Sequence, residues 1–213
     1  PSPQPLDVPA VAVVAAEEGI GDPAPLIEHA PLYKSAKGDV TVQFDMKMSE
    51  ALGLHMVPET VYRRKAPVGP GSLQRFIEHN PEYHFFNFSE EDRRRMRPVA
   101  LFDLVINNAD RKGGHILFDT DDHIWLIDHG ICFHVEDKLR TVIWDFAGER
   151  IAGELQHKLE TFLEQLYPSS GAELAGEQPA SKEQAGSPLA ESLREHLRLG
   201  EIKAIASRTR DLL

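Results

Sequence analysis

The sequence has a single cysteine, Cys132. One thiol cannot build an internal disulfide framework, and such scarcity fits a reducing, cytoplasmic setting. No run of about 18 apolar residues occurs, so no transmembrane segment is expected. The first residues carry no charged stretch ahead of an apolar core, so no signal peptide is expected. Bases are outnumbered, with 23 Lys and Arg against 34 Asp and Glu, for a formal charge of −11. A surface this acidic repels nucleic acid and anionic membrane, so neither is a default partner unless a local basic patch overrides the total. No internal repeat is visible. What the chain does have is length and apolar content: 213 residues, 41% apolar. That is enough to bury a real core in one large domain or two small ones.

The pattern along the chain divides it into five parts. Residues 1–30 are rich in Pro and Ala and read as an irregular arm with one short strand near Val11 to Ala15. Residues 31–78 offer a strand ending near Lys34, a turn at Lys37-Gly38 and a second alternating run in "TVQFD". A helix from about Met46 to Leu52 follows, with Gly53 as its C-cap, then strands at Thr60 to Arg63 and Ser72 to Ile77. Residues 79–167 open a helix at Ser89, an N-cap followed by acids. Its apolar set Val99, Phe102, Leu104 and Val105 suits burial. Two strands, "HILFD" and "IWLID", join through the turn Thr120-Asp121-Asp122. From Asp145 the pattern is helical, with Leu155, Leu159, Phe162 and Leu166 on one face. Residues 168–188 are a low-complexity linker rich in Ser, Gly, Ala and Glu. Residues 189–213 read as one or two amphipathic helices. Strands first and helices later predict an α+β chain with a small N-terminal lobe.

The chemistry concentrates in "NNADRKGGHILFDTDDHIWLIDHG", residues 107–130. It gathers five Asp, two Asn, two cations, three Gly and three His around two short apolar runs. Three readings fit such a stretch: a metal-dependent phosphoryl-transfer site, a histidine metal site of another kind, or a polar hairpin. Phosphoryl transfer from ATP needs a carboxylate to orient or deprotonate the acceptor. It also needs divalent ions on the phosphates and a lysine from elsewhere in the chain. The stretch supplies these groups in order. Asp110 ends a helix and starts a loop. His115 follows five residues on, at a strand start. Asp128 ends the next strand ahead of His129-Gly130, and the hairpin should return it beside the loop. Gly113 and Gly114 keep side chains out of the loop where phosphate must come close.

The motif "ADRKGGHIL…WLIDHG" resembles the "DRHxxNI…DFG" signature of the phosphatidylinositol 3- and 4-kinases and of the related HipA-type kinases. "NNADRKGGH", "DHGICFHVEDKLRTV" and "VPETV" resemble more closely an actinobacterial group of PI3/4-kinase-like proteins. The likeness runs from about Pro31 to Gly148, and more weakly through the C-terminal helices. It implies a two-lobed, protein-kinase-like α+β fold with a β-rich N-lobe and a mainly helical C-lobe. It implies ATP with Mg²⁺ or Mn²⁺ as cofactors. It also implies a hydroxyl acceptor: a lipid, an inositol-like small molecule or a protein. By the resemblance Asp110 is the catalytic-loop aspartate, and His115 and Asp128 are metal ligands. Lys112 stands where the lipid kinases have a catalytic His and would be a permanent cation. Lys34 resembles the phosphate-binding lysine. Gln74, Arg75, Phe76 and Ile77, within "SLQRFIE", resemble the strand leading into the adenine-binding hinge. Two departures stand out. No glycine-rich or serine-bearing phosphate loop precedes Lys34. The helix between Lys34 and Gly53 looks short, as in a truncated N-lobe, with only Asp45 or Glu50 to pair with the lysine.

Each residue also has a plainer reading. Asp110 and Asp128 could be solvated turn carboxylates, His115 a polar strand end, and Lys112 and Lys34 surface cations. "RRRMR", Arg93 to Arg97, reads as a solvated helix face. Trp125 and Trp144 read as core, and Cys132 as a small buried residue. Two rival functions follow: a catalytically weak nucleotide-binding pseudokinase or regulator, and a metal-dependent hydrolase using His115, Asp128, His129 and His134. In the hydrolase reading His129 and Asp128 are strand neighbours pointing to opposite faces.

Overall fold

The computed structural model describes residues 11–12, 32–35, 39–63, 71–151, 153–167, 187–194 and 197–213. The expected turn at 37–38, and nearly all of the expected arm and linker, lie outside them. A four-stranded antiparallel sheet is built around β4 (Gly71–Arg75), which pairs with β1 (Val11–Ala12), β2 (Leu32–Ser35) and β3 (Thr60–Arg63). The register sets Lys34 opposite Ser72 and Thr60 opposite Gln74. The Gln74 amide donates to Thr60 Oγ1 at 3.0 Å, so these buried polar side chains satisfy each other. β4 ends earlier than expected: Phe76 and Ile77 have left the sheet.

The largest departure from the sequence reading is α1 (Asp39–Ala51). It absorbs the alternating "TVQFD", so the helix is not short. Thirteen residues make it about 20 Å long. Asp45, Met48, Ser49 and Leu52 are all within 1% of full burial. Their spacing of three, four and seven is the period of one helix face. A face that mixes polar and apolar residues hides its helical period from hydrophobicity alone. Glu50 is exposed. Gly53 closes the helix at φ +62, and Leu54 N–H reaches back to Ser49 C=O at 2.8 Å.

The expected helix from Ser89 is two helices, α2 (Glu90–Arg94) and α3 (Arg97–Ile106). Ser89 Oγ accepts from Asp92 N–H, as an N-cap should. Pro98 has no N–H to continue the first helix and sits in the opening turn of the second. Val99, Phe102 and Val105 are fully buried, while Leu104 is half-buried. A hairpin follows, β5 (Ile116–Phe118) against β6 (Ile124–Leu126), with Ile116 opposite Leu126. Asp119 Oδ1 accepts from the Asp121 and His123 amides and shapes its turn.

No helix starts at Asp145. Gly148 (φ +82) and Gly153 (φ +63) interrupt the pattern, and α4 begins at Glu154 and runs to Leu166. Leu159, Phe162 and Leu166 are buried, with Leu155 half-buried. α5 (Pro188–Arg194) and α6 (Leu199–Asp211) complete the helical layer. Their Leu193, Ile202, Ile205 and Ala206 share one core with Phe102, Val105, Leu159 and Phe162. Among the described residues no helix is long and apolar enough to cross a membrane.

Three of the arginines in "RRRMR" are tied to other segments. Arg93 pairs with Asp145 at 3.1 Å and lies over Phe85. Arg95 pairs with Asp92 and with Asp122 of the hairpin turn, and lies over Phe118. Arg97 pairs with Glu149 and lies over Phe146. Arg94 and Arg97 are exposed, as the solvated reading expects, and Arg94 pairs with Glu90 one turn away. Trp144 is not core: it is 59% exposed.

Candidate active site

The site begins where α3 stops. Asn107 adopts φ 55 and ψ 53, the left-handed cap that Asn tolerates. Its side chain then works in both directions. Nδ2 donates to the carbonyls of His134 and Glu136, and Oδ1 accepts from Lys138 N–H at 2.9 Å. Asn108 donates to Asp103 Oδ1 and accepts from Asp110 N–H. Arg111 N–H reaches Arg140 C=O at 3.0 Å, and Arg140 N–H reaches Asn108 C=O at 2.9 Å. The loop carrying Asp110 is thereby laced to residues 134–140.

That lacing puts two cations on Asp110. Lys112 Nζ lies 3.0 Å from Oδ2, and Arg140 Nη2 lies 2.7 Å from Oδ1. Burial pushes the Asp110 carboxyl up, but hydrogen bonds from Lys112 and Arg140 outweigh it and hold the group below the usual carboxylate range. The Lys112 ammonium is raised in turn, chiefly by its hydrogen bond to Asp110. The carboxylate is ionised and oriented, and it is a weak base.

His115 lies in a 3₁₀ turn, Gly113–His115, rather than on a strand. Asp128 stands two residues past the end of β6, at φ 61. Ile127 N–H donates to His115 C=O at 3.0 Å and extends the hairpin by one rung. Beyond that rung His115 Nε2 and Asp128 Oδ2 meet at 3.3 Å. Burial holds the imidazole below its ordinary pKa, more than the Asp128 charge raises it. A neutral imidazole beside a carboxylate can take a divalent cation without first losing a proton. Two protein ligands suit Mg²⁺ or Mn²⁺ where nucleotide phosphates and water complete the sphere. No group of three or more His, Cys, Asp or Glu able to hold a metal occurs among the described residues.

The hydrolase constellation does not assemble. His129 is fully buried, with Nε2 2.7 Å from Arg111 Nη2. His134 Nδ1 accepts from Glu136 N–H at 3.0 Å. The His129 neighbourhood is a buried charged cluster. Asp103 takes Arg111 bidentately at 2.8 to 3.1 Å, with both side chains at 0% exposure. Thr141 Oγ1 donates to Asp103 Oδ2. Asp45 of α1 lies 3.8 Å from His129 Nδ1.

The two glycines of the loop separate. A Cβ on Gly113 would strike the Phe86 ring at 2.7 Å, so Gly113 makes room for packing. A Cβ on Gly114 would meet nothing within 4 Å, so Gly114 borders open space. The Lys34 side chain lies outside what is described. In the hinge segment Gln74 is buried, Arg75 lies over Trp125, Phe76 sits 6.3 Å from the His79 ring, and Ile77 C=O accepts from His79 Nδ1. A cavity of about 520 Å³ lies between α3 and residues 139–151. Its lining includes neither Asp110 nor Asp128. Sequence reasoning missed Asp103, Arg111, Asn107 and Arg140. The paired amides directly after an apolar helix were the available signal for Asn107.

A loop aspartate with a cation beside it, and a hairpin that returns a second aspartate to His115, are compatible with a kinase-like enzyme. A sequence model of the family described as "Phosphatidylinositol 3- and 4-kinase" matches residues 29–151, more than half of the chain. The chain belongs to that family. "Protein Rv2133c" of Mycobacterium tuberculosis is 31% identical over 201 residues, covering 78% of this chain and 65% of the relative. "Phosphatidylinositol 4-kinase gamma 4" of rice, Oryza sativa subsp. japonica, is 32% identical over 98 residues, covering 42% of this chain and 17% of the relative. The chain thus spans less than two thirds of either relative.

Proposed function

We propose that the chain is an ATP-dependent phosphotransferase that moves the γ-phosphoryl group to a hydroxyl acceptor: a lipid, an inositol-like small molecule or a protein. The observation that carries this reading is the meeting of His115 and Asp128 at 3.3 Å, across the hairpin from the Asp110 loop. Asp110 orients the acceptor hydroxyl. The acceptor oxygen bonds to the γ-phosphorus as the bond to the β,γ-bridging oxygen breaks; ADP leaves, and the hydroxyl proton passes to the Asp110 carboxylate or to solvent. Lys112 offsets charge on the transferring group. His115 and Asp128 would hold Mg²⁺ or Mn²⁺, which supplies charge neutralisation on the phosphates. Lys34 holds the non-transferred phosphates, and Gln74 to Ile77 border the adenine. Strands β2 to β4 with α1 form the N-lobe, residues 31–78 including the hinge. Residues 79–167 form the C-lobe, flanked by the arm (1–30), the linker (168–188) and the C-terminal helices (189–213). The setting is cytoplasmic.

One observation favours a second reading, a catalytically weak nucleotide-binding regulator: Arg140 occupies an oxygen of Asp110 that an acceptor hydroxyl would need. Thermal denaturation with ATP and Mn²⁺ tests both. Ligand at about 100 times Kd adds about 2.7 kcal/mol, an increase of roughly 5 to 10 °C for a chain of this size. No shift with ATP in large excess sinks both readings. ATP turnover lost in Asp110→Ala and kept in His123→Ala supports the enzyme; a shift without turnover supports the regulator. Turnover unchanged in Asp128→Ala would end the metal assignment.

A further inference from the structure

A guanidinium offers only donors. Arg111 Nη2 lies 2.7 Å from His129 Nε2, so that nitrogen accepts and the imidazole proton resides on Nδ1. Nδ1 in turn faces Asp45 Oδ2 at 3.8 Å, with both side chains at 0% exposure. The gap exceeds a hydrogen bond, but in a dry interior a carboxylate at this range still favours the tautomer that turns N–H toward it. Phe102 meets the imidazole edge-on at 5.7 Å and holds its plane. On the other side, Arg111 Nη1 donates to the carbonyl of Ile127 at 3.3 Å and lies 3.5 Å from that of His115. Those carbonyls belong to His115 itself and to the residue before Asp128.

We propose that Asp45 is a positioning residue: through His129 and Arg111 it sets the separation of His115 and Asp128, and so couples the seating of α1 to metal–nucleotide affinity. The inference rests on the phosphotransferase reading. A purely structural role is the rival, since removing one member of a buried charged cluster destabilises a fold whether or not a site depends on it. Groups that orient metal ligands behave differently: their loss weakens metal binding by 10- to 100-fold.

The test uses the full chain with a non-hydrolysable ATP analogue, titrated with Mn²⁺ and followed by the electron-spin signal of the free ion. Asp45→Asn keeps the shape and removes the charge. The expected result is an Mn²⁺ affinity about tenfold weaker, measured at a temperature where the variant is folded. Unchanged affinity overturns the relay, whatever happens to the melting temperature. The wild-type protein provides a second measurement that needs no variant: ¹⁵N NMR of His129 should show Nδ1 protonated and Nε2 bare. Protonation at Nε2 overturns the relay even where Asp45→Asn does not fold. If the wild type binds no Mn²⁺ with the nucleotide, the phosphotransferase reading falls and the relay falls with it. Wild-type binding with an unaffected variant removes the relay alone.

Discussion

Arg111 makes five kinds of contact with no exposed surface: Asp103, His129, two carbonyls, and through its own N–H the carbonyl of Arg140. Removing it leaves Asp103 buried, with Asn108 and Thr141 as its remaining side-chain donors among the described residues. Loss of one partner from a buried pair costs about 3–5 kcal/mol. Arg111→Leu should therefore lower the unfolding free energy measured by denaturant titration by that much, while Lys112→Ala, at a largely exposed residue, should barely change it. Asp110 carries the pH prediction. Its folded carboxyl titrates below the ordinary value of about 3.9, so the stabilisation it lends is complete above that value. It is lost as pH falls through the depressed one. Arg140→Gln removes one of the two hydrogen-bonded cations. A ¹³C titration of the Asp110 carboxyl should then move toward the ordinary value, and the acid limb of any activity should rise with it. The spacing of Asp110, His115 and Asp128 was legible in the sequence because each residue type has its own chemical task. Arg111 and Arg140 were not, because a cation beside an aspartate reads as solvated until its burial or its distant partner is known.

At the scale of elements, the loop between α3 and β5 is short, and its two glycines do different things. Gly114→Ala adds a methyl in open space and should leave the melting temperature unchanged. If phosphate approaches there, the same variant should weaken ATP binding, read as a smaller thermal shift with ATP and Mn²⁺. An unaltered shift would remove Gly114 from the nucleotide path. The hairpin was legible from its two apolar runs and its Asp-rich turn, although both strands are shorter than their apolar runs. α1 was not legible at its start. β-branched residues alternating in "TVQFD" imitate a strand, and the face that becomes buried carries Asp45 and Ser49. A polar residue on a core-facing stripe defeats any reading by hydrophobic period, and here that residue belongs to the candidate site's buried cluster.

For the molecule as a whole, the charge of −11 gains weight from the structure. The basic cluster that could have opposed it is spent internally: Arg93, Arg95 and Arg97 each pair with an acid on another segment. Little positive field is left at that surface to draw an anionic bilayer. The full chain should therefore fail to sediment with phosphatidylserine vesicles at about 0.1 M salt, where screening acts beyond about 10 Å. Co-sedimentation that disappears at high salt would locate basic attraction elsewhere in the chain. The α+β composition was legible from the order of strands and helices. The sharing of one core by α3, α4, α5 and α6 was not, because amphipathic stripes say that a face is buried and not against what.

Residues 131–151 contain neither helix nor strand. Even so, the Phe133, Lys138 and Arg140 amides donate to Ile106 C=O, Asn107 Oδ1 and Asn108 C=O. In a deuterium-exchange experiment those three should stand out as slow amides, opening only when the end of α3 opens. Irregular chain that shares its opening with a helix terminus exchanges on that helix's clock, and the chemistry-bearing loop between them keeps the same time.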